Sequence, residues 1–119
     1  MARILLADDD GATRDLVRRA LEADGHSVFV TQDGVEALEH LVGGGGFDVL
    51  VSDVNMPGLD GISLAERAAA ALPGIAILLM SGFPEQLDKA RGIRVARIGT
   101  LSKPFTLEQA KAAVRGIVG

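Results

Sequence analysis

The chain reads as a doubly wound α/β sandwich, a parallel sheet covered by helices on both faces, and three features point there. Its 119 residues suffice for one domain with one core. Its apolar runs are short and do not alternate: Ile4 to Ala7, Val49 to Val51 and Ile75 to Met80, with a weaker stretch from Ile98 to Ser102. Such runs suit parallel strands covered on both sides, since neither side requires a polar side chain. Between them lie amphipathic stretches at helical period, and strands alternating with helices select this architecture over a bundle or an all-β fold.

From the N-terminus, Ile4 to Ala7 is the first strand and runs into Asp8, Asp9 and Asp10. The first helix puts Leu16, Val17, Ala20 and Leu21 on one face, leaves Asp15, Arg18, Arg19 and Glu22 outside, and stops at Gly25. Val28 to Thr31 is a short second strand. Asp33 caps the second helix, and Glu36, three positions on, closes a capping box ahead of the Ala37, Leu38 and Leu41 stripe. Gly43 to Gly46 break that helix, because the backbone entropy each loses exceeds what helical hydrogen bonds return. No Lys or Ser/Thr follows them at the spacing of a nucleotide-binding loop, so they read as a surface loop. The next helix runs from about Ile62 to Leu72 and ends at Pro73 and Gly74. The fourth starts near Pro84 and is marginal beyond Arg91, where Gly92 follows; Ile93 to Arg97 reads equally as loop or early strand. The last helix opens at Thr106, with Gln109 as box partner, and turns Leu107, Ala110, Val114, Ile117 and Val118 inward.

Composition narrows the function classes. With 48% hydrophobic and 24% charged residues, four Phe and no Tyr or Trp, the interior is aliphatic and wholesale disorder is excluded. A folded chain of this size exposes roughly 6,000 Å². Sixteen acidic against twelve basic residues give a net charge of −4 without a basic stripe, so no nucleic-acid surface is expected. The absence of Cys removes disulfides, thiolate metal sites and cysteine nucleophiles together. The opening MARILLADDD is too short in apolar residues for a signal-peptide core or a membrane span, and a cytoplasmic protein with no membrane partner is expected.

The polar residues that end the strands carry the chemistry. In a doubly wound sheet the ligand crevice lies outside the carboxyl ends of the strands. Asp8, Asp9 and Asp10 follow the first strand, Asp53 the third, Ser81 the fourth and Lys103 the fifth. Each alone is an ordinary turn residue, helix cap or surface lysine; four strand ends delivering them to one side form a site. Clustered carboxylates repel and call for a cation. The donors are oxygens, and His26 and His40 sit elsewhere, which selects Mg²⁺ over Zn²⁺. A phosphate is the natural third party, with Lys103 pairing its oxygens and Ser81 donating a hydrogen bond.

Asp8-Asp9, Asp53 in the run Asp53-Val54-Asn55-Met56-Pro57-Gly58-Leu59-Asp60-Gly61, Ser81-Gly82 and Lys103-Pro104-Phe105 together resemble the receiver domain of bacterial response regulators, over essentially the whole chain. The intervals from Asp9 through Asp53 and Ser81 to Lys103 are 44, 28 and 22 residues, and the set in this order is far more specific than any one motif. The resemblance implies a (βα)5 flavodoxin-like three-layer sandwich with a five-stranded parallel sheet in the order 2-1-3-4-5. It implies that Asp53 is the phosphoacceptor, taking a phosphoryl group from a histidine kinase or a histidine phosphotransfer protein. Asp9 is then the principal Mg²⁺ carboxylate, Asp8 assists partly through water, Asp53 shares the ion and Asn55 contributes its backbone carbonyl. Ser81 closes on the phosphoryl group. The family usually carries an aromatic residue three positions before the lysine; here that position is Thr100, which puts the usual coupling of hydroxyl and ring in doubt. Phe83, at the mouth of the same loop as Ser81, is the candidate partner contact, and Asp10 receives no assigned role.

The runs Ser81-Gly82-Phe83 and Leu101-Ser102-Lys103-Pro104-Phe105 are also similar to stand-alone receivers of alphaproteobacterial cell-cycle circuits, some of them protease-linked, and to receivers at the C-termini of hybrid kinases. With its last helix carried to Gly119, the chain is expected to be one receiver domain over 1–119 that signals through protein contacts. It is expected to catalyse its own phosphorylation and dephosphorylation, not to turn over a substrate. The alternative is a receiver excised from a hybrid kinase or multidomain regulator, acting as a phosphorelay intermediate. A haloacid-dehalogenase-type phosphatase would carry its nucleophile after the first strand and needs a cap for which there is no room. A flavodoxin-like FMN module is rejected by the three carboxylates that stand where its phosphate loop would be.

Overall fold

In the computed structural model, which describes residues 1–118, strands and helices alternate as the hydrophobic pattern requires. Gly119, to which the sequence reading carries the last helix, lies outside the described residues. The order is β1 (Arg3–Ala7), α1 (Gly11–Ala23), β2 (Ser27–Thr31), α2 (Gly34–Val42), β3 (Val49–Asp53), α3 (Gly61–Ala71), β4 (Ala76–Ser81), α4 (Pro84–Asp88), a 3-10 turn (Lys89–Gly92), β5 (Arg97–Ser102) and α5 (Leu107–Val118). All neighbouring strands are parallel, and the sheet runs β2-β1-β3-β4-β5. The chain therefore winds outward from β1 to β2 and then crosses to β3 on the other side. That reversal opens a crevice between the carboxyl ends of β1 and β3.

Because successive strand residues point to opposite faces, the aliphatic runs serve two cores at once. Leu5, Leu50, Ile77 and Leu79 pack with Leu41, Leu64, Ala65 and Ala68 of α2 and α3. Ile4, Leu6, Val51, Leu78 and Met80 pack with Val17 and Leu21 of α1 and with Val114 and Ile117 of α5. Each such Leu or Ile removed from water contributes about 1.5–3 kcal/mol, so the central strands are the stiffest part of the molecule. The accessible surface is 5,903 Å², near what the chain length implies.

Several local expectations need correction. Asp53 and Ser81 are the last residues of β3 and β4, not the first beyond them, since both still pair in register, with Met80 and Ser102 respectively. Leu16 is 40% exposed and Leu107 is 42% exposed. Leu16 stands at the margin of the α1 stripe, beside a hollow it shares with Pro104 and Phe105, and Leu107 opens α5 ahead of the turn that packs. The Thr106 and Gln109 box closes both ways: the Gln109 backbone N–H donates to Thr106 Oγ1 at 3.1 Å, and the Thr106 N–H to Gln109 Oε1 at 2.8 Å. At α2 the Glu36 N–H donates to Asp33 Oδ1 at 2.8 Å, but the Glu36 carboxylate accepts from Gln32, one residue before the cap. The fourth helix is shorter than its pattern, changing to a 3-10 turn at Lys89, and Ile93 to Ala96 precede β5 as loop.

Candidate functional site

The end of β1 holds a carboxylate that water cannot reach. Asp8 is fully buried; its backbone N–H donates to the Thr31 carbonyl at 3.2 Å, and its Oδ1 accepts from the Asp10 N–H at 3.0 Å. Asp8 Oδ2 is the one buried side-chain polar atom without a partner among the described residues. Burial, reinforced by the neighbouring Asp53 charge and opposed by the Asp10 N–H, pushes the Asp8 carboxyl up to about 6. Asp9 beside it is exposed, and Asp10 is the α1 cap, accepting from the Ala12 N–H and from the Thr13 hydroxyl.

Asp53 is placed by the β3–α3 junction. Its backbone continues the ladder, with the Val54 N–H donating to the Met80 carbonyl at 2.9 Å, and its own carbonyl accepts from Ser52 Oγ at 2.8 Å. The first residue of α3 closes against it: a Cβ on Gly61 would collide with the Asp53 carbonyl oxygen and lie 2.8 Å from Val54 Cα. Only glycine lets that helix start so near the strand end. Asp53 is 5% exposed, and its carboxylate receives Lys103 Nζ at 3.1 Å from Oδ1. Burial pushes its pKa above the ordinary carboxylate range, while the Lys103 ammonium pulls it back.

Lys103 follows β5 directly, its backbone N–H donating to the Ser81 carbonyl at 2.9 Å, and the Lys103–Pro104 peptide is cis. Ser81 is buried, donates its hydroxyl proton to Gln86 Oε1 at 2.5 Å and accepts from the Phe83 N–H at 3.0 Å. Gln86 in turn pairs with the Asn55 amide through two bonds of 2.9 Å each. Sequence reasoning missed Gln86: glutamine is an ordinary helix residue, and its partner Asn55 lies 31 positions away. A groove of about 640 Å³, lined by Asp9, Asn55, Met56, Asp60, Gln86 and Lys89 among others, runs alongside. Thr100 stands apart from the carboxylates, exposed on β5 beside a 240 Å³ hollow that Leu87, Arg91 and Ile98 also line. Phe83 is 54% exposed. His26 accepts from the Ala2 N–H through Nδ1 and His40 packs on Phe29, so neither is committed to the acidic cluster.

Ligand oxygens of Asp8, Asp9 and Asp53 all lie within 4.8 Å of one another. Three converging carboxylates, one with an unpartnered buried oxygen, form the donor set of a hard divalent cation, and the residues fit Mg²⁺.

The five-stranded parallel sandwich thus carries an acidic cleft at its switch point, with a lysine on the central aspartate. The family model for the response regulator receiver domain matches residues 4–115, and the chain belongs to this family. It is 37% identical over 116 residues to response regulator MprA of Mycobacterium leprae (strain TN), a match covering 98% of this chain and 50% of that protein. The regulator of the same name from Mycobacterium sp. (strain KMS) is 36% identical with the same coverage. The chain thus spans about half the length of the curated relatives it matches. Among solved structures, the chemotaxis response regulator CheY4 of Vibrio cholerae superposes with a TM-score of 0.84 at 31% identity, covering 98% of each chain. The receiver domain from the hybrid histidine kinase CckA gives 0.82 at 30% identity, covering 98% of this chain and 99% of the other. No helix among the described residues is long and apolar enough to cross a membrane.

Proposed function

We propose that this receiver accepts a phosphoryl group on Asp53 from a phosphohistidine of a histidine kinase or histidine phosphotransfer protein, and that the loaded form signals through protein contacts. The observation that carries the reading is the Asp53 carboxylate at the end of the central strand, 3.1 Å from Lys103 and within reach of two further carboxylates. One Asp53 oxygen attacks phosphorus, a P–O bond forms, and the P–N bond breaks with its electron pair passing to the imidazole. Lys103 holds the phosphoryl oxygens as the new anhydride forms, and Ser81 donates its hydroxyl to one of them. Asp8, Asp9, Asp53 and the Asn55 carbonyl would hold Mg²⁺, which supplies neutralising charge for the transferred oxygens when bound. The remaining work is positioning, which the rigid strand ends provide.

Under this reading residues 1–119 act as one receiver domain in the cytoplasm, alongside the phosphohistidine donor. Phe83 and the adjoining α4 surface meet the downstream partner, and with Thr100 in the aromatic position no large ring turns inward on activation. A relay role within a larger regulator or hybrid kinase is the second reading. The half-length match to full regulators and the likeness to the CckA receiver favour it.

Incubation with a small phosphodonor and Mg²⁺ tests the assignment by intact mass. Wild type should gain one phosphoryl group and Asp53→Ala none. An undiminished phosphorylated peak in the variant would place the nucleophile elsewhere.

A further inference from the structure

Three hydrogen bonds converge on the Gln86 side chain, and they join α4 to the end of β4 and to the loop after β3. Gln86 Oε1 accepts from Ser81 Oγ and from Asn55 Nδ2, while Gln86 Nε2 donates to Asn55 Oδ1. Asn55 lies two residues beyond Asp53, and Ser81 ends β4. The helix that carries Gln86 has five residues and no side-chain cap at Phe83, so its own hydrogen bonds cannot keep it in place.

We infer that Gln86 is a positioning residue that latches the unphosphorylated receiver: it holds the Ser81 hydroxyl proton away from Asp53 and ties α4 to the loop after β3. The inference rests on the phosphoacceptor reading and adds the group that opposes it. A serine hydroxyl has a single proton to donate. Here that proton is spent on Gln86, so Ser81 can reach a phosphoryl oxygen only by giving up that bond. The same rotation takes Ser81 Oγ from the Phe83 N–H, the contact that fixes the start of α4. Loading Asp53 therefore frees two anchors of α4 in one movement, and Phe83, already half out of the surface, moves with them. The coupling runs through a side-chain amide, which is how a receiver with Thr100 in place of an aromatic can still transmit its state.

Beryllofluoride with Mg²⁺, a phosphoryl mimic, provides the test, read by titrating the backbone amide signals of Asp53 and Lys103. Gln86→Met keeps the length of the side chain and removes the amide; it should bind the mimic about five-fold more tightly than wild type, the worth of one ordinary hydrogen bond. Gln86→Ala, with nothing left to repack, should move the same way. In a Ser81→Ala background the gain should vanish, because the bond that Gln86 competes for is gone. Equal affinity in wild type and both Gln86 variants would overturn the latch, and so would a gain of the same size in the Ser81→Ala background, which would mark a merely structural effect. If wild type itself took up no beryllofluoride, the phosphoacceptor reading would fall and the latch with it.

Discussion

A buried carboxylate with one oxygen unpartnered, as in Asp8, holds its proton to about pH 6 where an exposed one releases it near 3.8. Between those values the folded chain binds a proton that the unfolded chain has lost, so metal-free stability falls as pH rises through that window. The loss contributed by Asp8 is on the order of 3 kcal/mol by neutral pH. A divalent cation reverses the sign by favouring the charged form. Mg²⁺ should therefore raise the melting temperature clearly at pH 7.5 and little at pH 5, and Asp8→Asn should flatten the difference. An equal Mg²⁺ effect at both pH values in wild type would show that Asp8 is not part of the cation site. Lys103 works on Asp53: at 3.1 Å its ammonium opposes the upward pull that burial exerts on that carboxyl.

At the scale of elements, the approach of α3 to the end of β3 sets where Asp53 points. Gly61→Ala would drive a methyl group into the Asp53 carbonyl, and backbone on both sides leaves no flexible side chain to yield. We expect a loss of about 1–3 kcal/mol in denaturant unfolding and slower uptake of phosphoryl groups from a small donor. Unchanged stability together with unchanged uptake would mean that the junction does not position the site. The elements themselves were legible in the sequence because their signals are local: unbroken aliphatic runs for β1, β3 and β4, Thr106 with Gln109 at the start of α5, and glycines at the end of α2. The exposed faces of Leu16 and Leu107 were not legible, since helical period marks a stripe without saying where the neighbouring layer stops. Gln86 was invisible for a stronger reason: its role exists only once β3, β4 and α4 have come together, and no residue type announces such a meeting.

For the whole molecule, one topological fact links sequence to chemistry. Parallel strands share a direction, so polar residues that end separate aliphatic runs must gather at one edge of the sheet. This is why Asp8, Asp9, Asp53, Ser81 and Lys103, scattered over most of the chain, are legible as one site in the sequence alone. The same geometry sets the route out of the site. Ser81 ends β4 and Lys103 follows β5, and α4 with its 3-10 turn is the least anchored element beside them. Phosphorylation should change amide-exchange protection mainly over residues 82–91, with α1 and α2 unaltered. Changes confined to α1 and α2 would contradict this route.

Whether Asp53 carries the phosphoryl group is answered by chemical mapping of the modified residue. Borohydride reduces an aspartyl phosphate to homoserine, which peptide sequencing by mass spectrometry then locates. After phosphorylation in the presence of Mg²⁺, homoserine is predicted at position 53 alone. Homoserine at position 8, 9 or 60, with Asp53 intact, would contradict the account.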